Sequence, residues 1–359
     1  METTGYDFHF RDKITVAILG ATGSVGQRFI ALLANHPWFE IVAVAASERS
    51  YGKLYGDVVN WLLPTPLPEN IASLALCECK PPINANLVFS ALDSSVATVI
   101  ESSFANAGYL VISNAKNYRM QSDVPLLVPE INSDHLALLE HQKFGKGKIV
   151  TNPNCSTIGL SLALKPLYDH FGIEAVNVVT MQAISGAGFP GVSSMDILDN
   201  VIPHIVGEEH KLETEPLKIL GKLDKNNDRI IEPKIKISAQ CNRVPVTDGH
   251  TECVSIKLKT KPSKHELIEA WRSFSGEVQR LELPSAPQFP IHYLDGDFLP
   301  QPKLQRNLDK GMAVSIGRLR DCPLLDYKFT LVSHNTIRGA AGGAILCAEL
   351  LVRKGYIFW

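Results

Sequence analysis

Cys155 is the residue of this chain best placed for covalent chemistry. It lies in Thr151-Asn152-Pro153-Asn154-Cys155-Ser156-Thr157, just ahead of the apolar-periodic stretch Ile158, Leu160, Leu162, Ala163, Leu164, so the spacing predicts that it opens a helix. A helix N-terminus stabilises a thiolate, and a free thiol of pKa about 8.5 needs that help. Lowering the pKa by about 1.5 units turns a few per cent of anion at pH 7 into roughly half. Cys77, Cys79, Cys241, Cys253, Cys322 and Cys347 read instead as small hydrophobes. A base is needed near the sulfur. His250 follows the turn Asp248-Gly249 and begins a strand, seven residues after Arg243, and a hairpin there would aim both side chains at one cleft. Spacing alone does not separate it from the rest of the 11 histidines.

A second chemistry is written in Gly20-Ala21-Thr22-Gly23-Ser24-Val25-Gly26, between an apolar run and the helix-period residues Phe29, Ile30, Leu32 and Leu33. Missing Cβ atoms there let a pyrophosphate approach backbone N–H groups at the positive end of a helix. The spacing departs from G-x-G-x-x-G, and a tight structural turn is the other reading. At the end of the second strand, Ala45-Ala46-Ser47-Glu48-Arg49-Ser50 offers Ser47, Arg49 and Ser50 to a 2′-phosphate, which favours NADP; Glu48 would suit the ribose hydroxyls of NAD.

The elements that must position these groups fall into two patterns. Apolar runs at 15–19, 41–45, 87–91 and 110–112 alternate with segments able to form helices, which predicts a parallel, doubly wound Rossmann-type sheet. After about residue 155, strands at 175–182, 234–238 and 254–259 predict an α+β domain with a mainly antiparallel sheet. The expected division is 1–154 with the C-terminal helix segment 336–359 for dinucleotide binding, and 155–335 for catalysis. Pro284, Pro287, Pro290, Pro300 and Pro302 predict an ordered surface loop or subunit contact, and residues 339–352 a last helix stopped by Arg353, Lys354 and Gly355.

Composition bounds the partners. The 359 residues suit roughly two domains, and 35 basic against 37 acidic side chains leave a net charge of −2, with no excess to drive binding to nucleic acid or an anionic membrane. Seven cysteines, an odd number in a long chain, read as reduced thiols, and no Cys-x-x-Cys or His-rich spacing suggests a metal. Residues 1–13 carry no apolar signal region and no run of about 18 apolar residues occurs, so a cytoplasmic enzyme is expected.

From Ile14 to Val352 the chain resembles the aspartate-semialdehyde dehydrogenase family. The likeness rests on the glycine turn, on 151–156, on Gln182-Ala183-Ile184-Ser185-Gly186-Ala187-Gly188, on Arg243-Val244-Pro245-Val246 through Gly249-His250, and on Asn335-Thr336-Ile337-Arg338-Gly339-Ala340-Ala341-Gly342-Gly343. Gly207-Glu208-Glu209-His210-Lys211 followed by Glu213-Thr214-Glu215 resembles the archaeal and fungal branch. The resemblance implies Cys155 as nucleophile, Gln182 as its orienting partner and His250 as acid and base. Asn154 either stabilises an oxyanion or serves the turn. Arg243 would grip the substrate α-carboxylate with its fixed fork. Glu208, or its neighbour Glu209, would meet the α-ammonium, while Lys211, Arg119 and Asn117 would serve the phosphate side. Gly20, Thr22, Gly23, Ser24, Val25, Gly26, Ser47, Arg49, Ser50, Ser90, Ser185, Gly186, Asn335 and Thr336 would hold NADP. The implied reaction is NADPH-dependent reduction of β-aspartyl phosphate to aspartate 4-semialdehyde and phosphate, through a cysteine thioester, on the route to lysine, threonine, methionine and isoleucine. A homodimer or homotetramer and no metal are implied as well. Malonyl-CoA reductase and a catalytically silent NADP-binding homologue are the alternatives.

Overall fold

The computed structural model describes residues 13–357. Residues 1–12 and the last two, which the expected division and the leader reading include, lie outside the described residues. Six strands, β1 (Ile14–Leu19), β2 (Phe39–Ala46), β3 (Cys77–Glu78), β4 (Leu87–Ser90), β5 (Leu110–Ser113) and β6 (Lys148–Thr151), form a parallel sheet in the order β3-β2-β1-β4-β5-β6. β4 and β5 are buried at every residue, as strands covered on both faces must be. Among the described residues, the α-helices of eight residues or more are α1 (Ser24–Leu33), α2 (Ser94–Asn106), α3 (Cys155–Phe171), α4 (Glu208–Ile219), α5 (Lys264–Arg272) and α6 (Gly342–Arg353). α6 returns to the first sheet, where Ile345, Leu346, Leu350 and Leu351 join its core. The strand order reverses between β1 and β4, and the crevice outside their carboxyl ends is where such sheets bind ligands.

The second sheet has β7 (Ile173–Gln182), β10 (Lys236–Arg243), β11 (His250–Leu258), β12 (Ile291–Leu294), β13 (Val314–Asp321) and β14 (Tyr327–Ser333), in the order β10-β7-β11-β14-β13-β12; β8 (Lys222–Leu223) and β9 (Ile230–Ile231) form a separate ribbon. It is mainly antiparallel, as expected, with β7, β11, β14 and β13 alternating, and it is mixed at its two edges, where β10 runs parallel to β7 and β12 parallel to β13. Each parallel pair is joined by a long connection, the first containing α4, and such a crossover is what parallel pairing demands. The proline-rich stretch therefore is not all loop. Its residues 291–294 form the edge strand β12, with the prolines confined outside it.

The expected hairpin between Arg243 and His250 does not form. β10 and β11 flank β7, and residues 244–249 cross over its end. Arg243 and His250 are brought close all the same, because Arg243 pairs with Gln182 and Thr251 with Met181. α3 lies on this face of the sheet: a Cβ on Gly159 would meet Ser333 Oγ at 2.7 Å, and Ser333 is the cross-strand partner of His250.

Candidate active site

Asn154 caps α3, its Oδ1 accepting from the N–H groups of Ser156 at 3.0 Å and Thr157 at 3.4 Å. Cys155 follows as the first helical residue, and its Sγ lies 3.1 Å from His250 Nε2. On the far side of the ring, Nδ1 accepts the backbone N–H of Ala183 at 3.0 Å. That bond requires a lone pair on Nδ1, so the neutral ring carries its hydrogen on Nε2, directed at the sulfur. Burial, with Arg243 adding, pushes the imidazolium down to about 3. Burial likewise pushes the Cys155 thiol up to about 12, with Glu208 adding and Lys211, Arg119 and Arg243 opposing. The lowered thiol pKa expected from the helix end is therefore not what the resting site shows. Enclosure of the sulfur, with a carboxylate beside it, sets this direction.

Three strand ends form the floor. Arg243, Gln182 and His250 stand side by side at the termini of β10, β7 and β11, all buried. Arg243 Nη1 donates to Ala183 O at 2.8 Å. Gln182 does not bond the sulfur it was expected to orient; its Nε2 donates to Glu208 Oε2 at 3.2 Å and to Thr180 Oγ1 at 3.4 Å. Gly186 roofs this floor, for a Cβ there would lie 2.8 Å from Arg243 Nη1 and 3.2 Å from His250 Cε1.

α4 supplies the charges. Glu208 faces the cleft, accepting from Asn154 Nδ2 at 2.8 Å and from Lys211 Nζ at 2.6 Å, whereas Glu209 turns to β10 and accepts from Cys241 N. Burial acts to raise the Glu208 pKa, but Lys211, Asn154 and Gln182 outweigh it and hold the carboxyl below its usual value. Asn154 thus divides its side chain between the helix cap and Glu208. Two turns on from Glu208, Glu215 accepts from Arg119 Nη1 at 2.9 Å and from the Asn154 N–H at 2.7 Å, so Arg119 lines the cleft with a counter-ion already attached. Lys218 donates to the carbonyls of Arg119, Gln121 and Val124, fixing that loop; burial lowers its ammonium to about 8. Glu215 and Lys218 were not singled out from the sequence. Their signal was present in the spacing 208, 211, 215, 218, which is one face of a helix.

The opposite wall is a π-helical turn, Ile337–Ala341. Buried Arg338 grips both oxygens of Glu130 at 2.6 Å, and Gly339 sits so close that a Cβ would lie 2.7 Å from Cys155 Cβ. Just before the turn, Asn335 Nδ2 donates to Ser185 Oγ at 2.8 Å while its Oδ1 accepts the Gly249 N–H at 2.8 Å. The cleft beside these groups measures about 340 Å³; Ser24, Val25, Ser185, Gly186, Asn335 and Thr336 line it together with Cys155, while His250, Arg243 and Gln182 are buried outside its lining.

The glycine turn fits a dinucleotide. A Cβ on Gly20 would meet Ala91 O at 2.6 Å and one on Gly26 would meet Gly20 O at 2.3 Å, so both permit the tight turn, while Gly23 caps an α1 whose first turn holds no acid. Gly20, Thr22, Ser47, Glu48 and Arg49 line an adjoining pocket with Lys80, which pairs with Glu78 and was not anticipated. Three expected residues stand elsewhere. Ser50 does not line that pocket, Ser90 is fully buried with its hydroxyl donating to Glu101 at 2.6 Å, and Asn117 turns its amide to Ser94 O and Thr98 Oγ1 on α2. Asn114 and Lys116 line the cleft in place of Asn117. Among the described residues no cluster of three or more His, Cys, Asp or Glu could hold a metal, and no helix is long and apolar enough to cross a membrane.

A parallel sheet with a dinucleotide-type glycine turn, joined to a mixed sheet whose strand-end His250 meets the helix-borne Cys155, defines a nicotinamide-dependent dehydrogenase. The semialdehyde dehydrogenase NAD binding domain matches residues 15–139, and the semialdehyde dehydrogenase dimerisation domain matches 164–338. The aspartate-semialdehyde dehydrogenase of Candida albicans is 50% identical, covering 95% of this chain and 98% of its own; that of Archaeoglobus fulgidus is 47% identical, covering 96% and 100%. The crystal structure of the Candida albicans enzyme with NADP superposes with a TM-score of 0.89 at 46% identity, over 96% of this chain and 100% of that one. The chain belongs to the aspartate-semialdehyde dehydrogenase family, and is accordingly an oxidoreductase of amino-acid biosynthesis.

Proposed function

We propose that the chain reversibly reduces β-aspartyl phosphate to aspartate 4-semialdehyde and phosphate, using NADPH, through a thioester on Cys155. The observation that carries this reading is the 3.1 Å contact between Cys155 Sγ and His250 Nε2, beside a cleft lined by Cys155, Glu208 and Lys211, with Arg243 buried behind Gly186. Arg243 takes the substrate α-carboxylate and Glu208 the α-ammonium, so the acyl carbon is delivered to the sulfur. The thiol proton leaves through Nε2, and the ring can accept it only once Nδ1 carries a hydrogen and the Ala183 bond is released. Sulfur then attacks the acyl carbon, the carbon–oxygen bond to the phosphoryl group breaks, and phosphate departs between Lys211 and Arg119. Reduced nicotinamide, when bound along Ser185, Asn335 and Thr336, supplies a hydride to the thioester carbon. The His250 imidazolium protonates the resulting oxyanion; on collapse the neutral ring takes the hydroxyl proton back, the carbon–sulfur bond breaks, the aldehyde leaves and the sulfur departs as thiolate, which the imidazolium reprotonates.

The NADP preference rests on Ser47 and Arg49, with Lys80 beside them. The two-domain division at residue 154, with α6 returning to the first domain, is supported by the packing of α6 against the first sheet. The compartment is the cytoplasm, in keeping with cysteines that are all free among the described residues. Phe189, Met195, Leu198, Val201 and Val206 lie exposed in one stretch of the second domain, a surface suited to a second copy of the chain in a homodimer or in a tetramer built from dimers. Absorbance of reduced nicotinamide, followed with aspartate semialdehyde, inorganic phosphate and either NADP or NAD, tests substrate and cofactor together. Cys155→Ala is expected to abolish the phosphate-dependent signal and keep dinucleotide binding; retained turnover removes Cys155 from the mechanism.

A further inference from the structure

The charges of α4 form two ion pairs of different character. Glu215 spends one oxygen on Arg119 and the other on the Asn154 amide, and it is buried away from the cleft. Glu208 and Lys211 both line the cleft. Glu208 Oε2 is held by Asn154 Nδ2 and Gln182 Nε2, but Oε1 has Lys211 Nζ, at 2.6 Å, as its partner. Resting on the roles proposed above, a substrate ammonium needs Oε1 and a substrate phosphate needs Nζ. Both therefore need the same bond broken.

An anion arriving alone strips Lys211 from Glu208 and leaves a buried carboxylate without its cation. An ammonium arriving alone strands Lys211 instead. Breaking this part-buried pair from one side is costly, most of all for the buried Glu208, because the remaining charge is left without its counter-ion. When both arrive, each replaces the partner that the other removed, and no charge is orphaned. We propose that the Lys211–Glu208 pair is an exchangeable counter-ion lock: it makes the ammonium and phosphate subsites fill cooperatively and selects ligands that carry both charges.

Calorimetric titration of the full chain without dinucleotide, where no turnover occurs, tests this. Inorganic phosphate is titrated alone, with saturating 2-aminobutyrate, which carries the substrate's α-carboxylate and α-ammonium, and with butyrate, which lacks the ammonium. The expected result is that 2-aminobutyrate tightens phosphate by at least about fivefold, that phosphate tightens 2-aminobutyrate by the same factor, and that butyrate does neither. In Glu208→Gln and in Lys211→Gln the coupling falls to about one. Phosphate alone binds Glu208→Gln more tightly than the parent chain, and 2-aminobutyrate alone binds Lys211→Gln more tightly. Independent binding in the parent chain, or coupling that survives in both variants, overturns the lock while leaving the assigned roles standing. If neither ligand slows alkylation of Cys155 by iodoacetamide, the roles themselves fail and the lock with them.

Discussion

Burial pushes the Cys155 thiol up and the His250 imidazolium down, so enclosure favours the neutral form of each. The sulfur is ringed by Arg119, Arg243 and Lys211, yet two of these cations are already matched, Arg119 by Glu215 and Lys211 by Glu208. What remains is too little to offset desolvation of an anion. A raised acid pKa keeps the proton on sulfur to higher pH, so the thiolate fraction stays small through neutrality and grows as pH climbs toward about 12. Alkylation of Cys155 in the ligand-free chain, mapped by peptide mass, is expected to be slower than that of a free thiol between about pH 7 and 9, and to go on rising above that range. A rate that levels off near neutrality would show a thiolate already formed.

At the scale of elements, the site depends on how closely the π-helical turn can press against α3. The Arg338–Glu130 pair anchors the turn from behind, and Gly339 removes the side chain that would otherwise separate it from Cys155. Gly339→Ala introduces a Cβ 2.7 Å from Cys155 Cβ and 2.8 Å from its Cα, too close for both segments to stay where they are. The nucleophile or the Asn335–Thr336 segment must shift. Displacement of a reacting group by an ångström is worth about a hundredfold in rate, and a fall in kcat of that order is the expected outcome in steady-state assays. An unchanged kcat would show that the turn is not what seats the sulfur.

At the scale of the whole molecule, five large apolar side chains between Phe189 and Val206 are exposed, and they form the surface proposed for a second copy of the chain. Val206→Glu, at a side chain 87% exposed, places a charge on that surface without disturbing the core, and is expected to convert the assembly to monomers by light scattering after size exclusion; an unaltered mass would put the subunit contact elsewhere. The sequence by itself determined what is local. A cap before Cys155, a glycine turn between strand and helix, and charges at helical spacing on α4 are set by backbone geometry over a few residues, and all were legible there. Only the tertiary structure decided which of Glu208 and Glu209 meets the cleft, which ring nitrogen of His250 carries hydrogen, and that Arg119 is neutralised by a carboxylate 96 residues away. Those choices turn on which groups two separate sheets bring within hydrogen-bond reach, a matter of packing between distant segments that no run of neighbouring residues encodes.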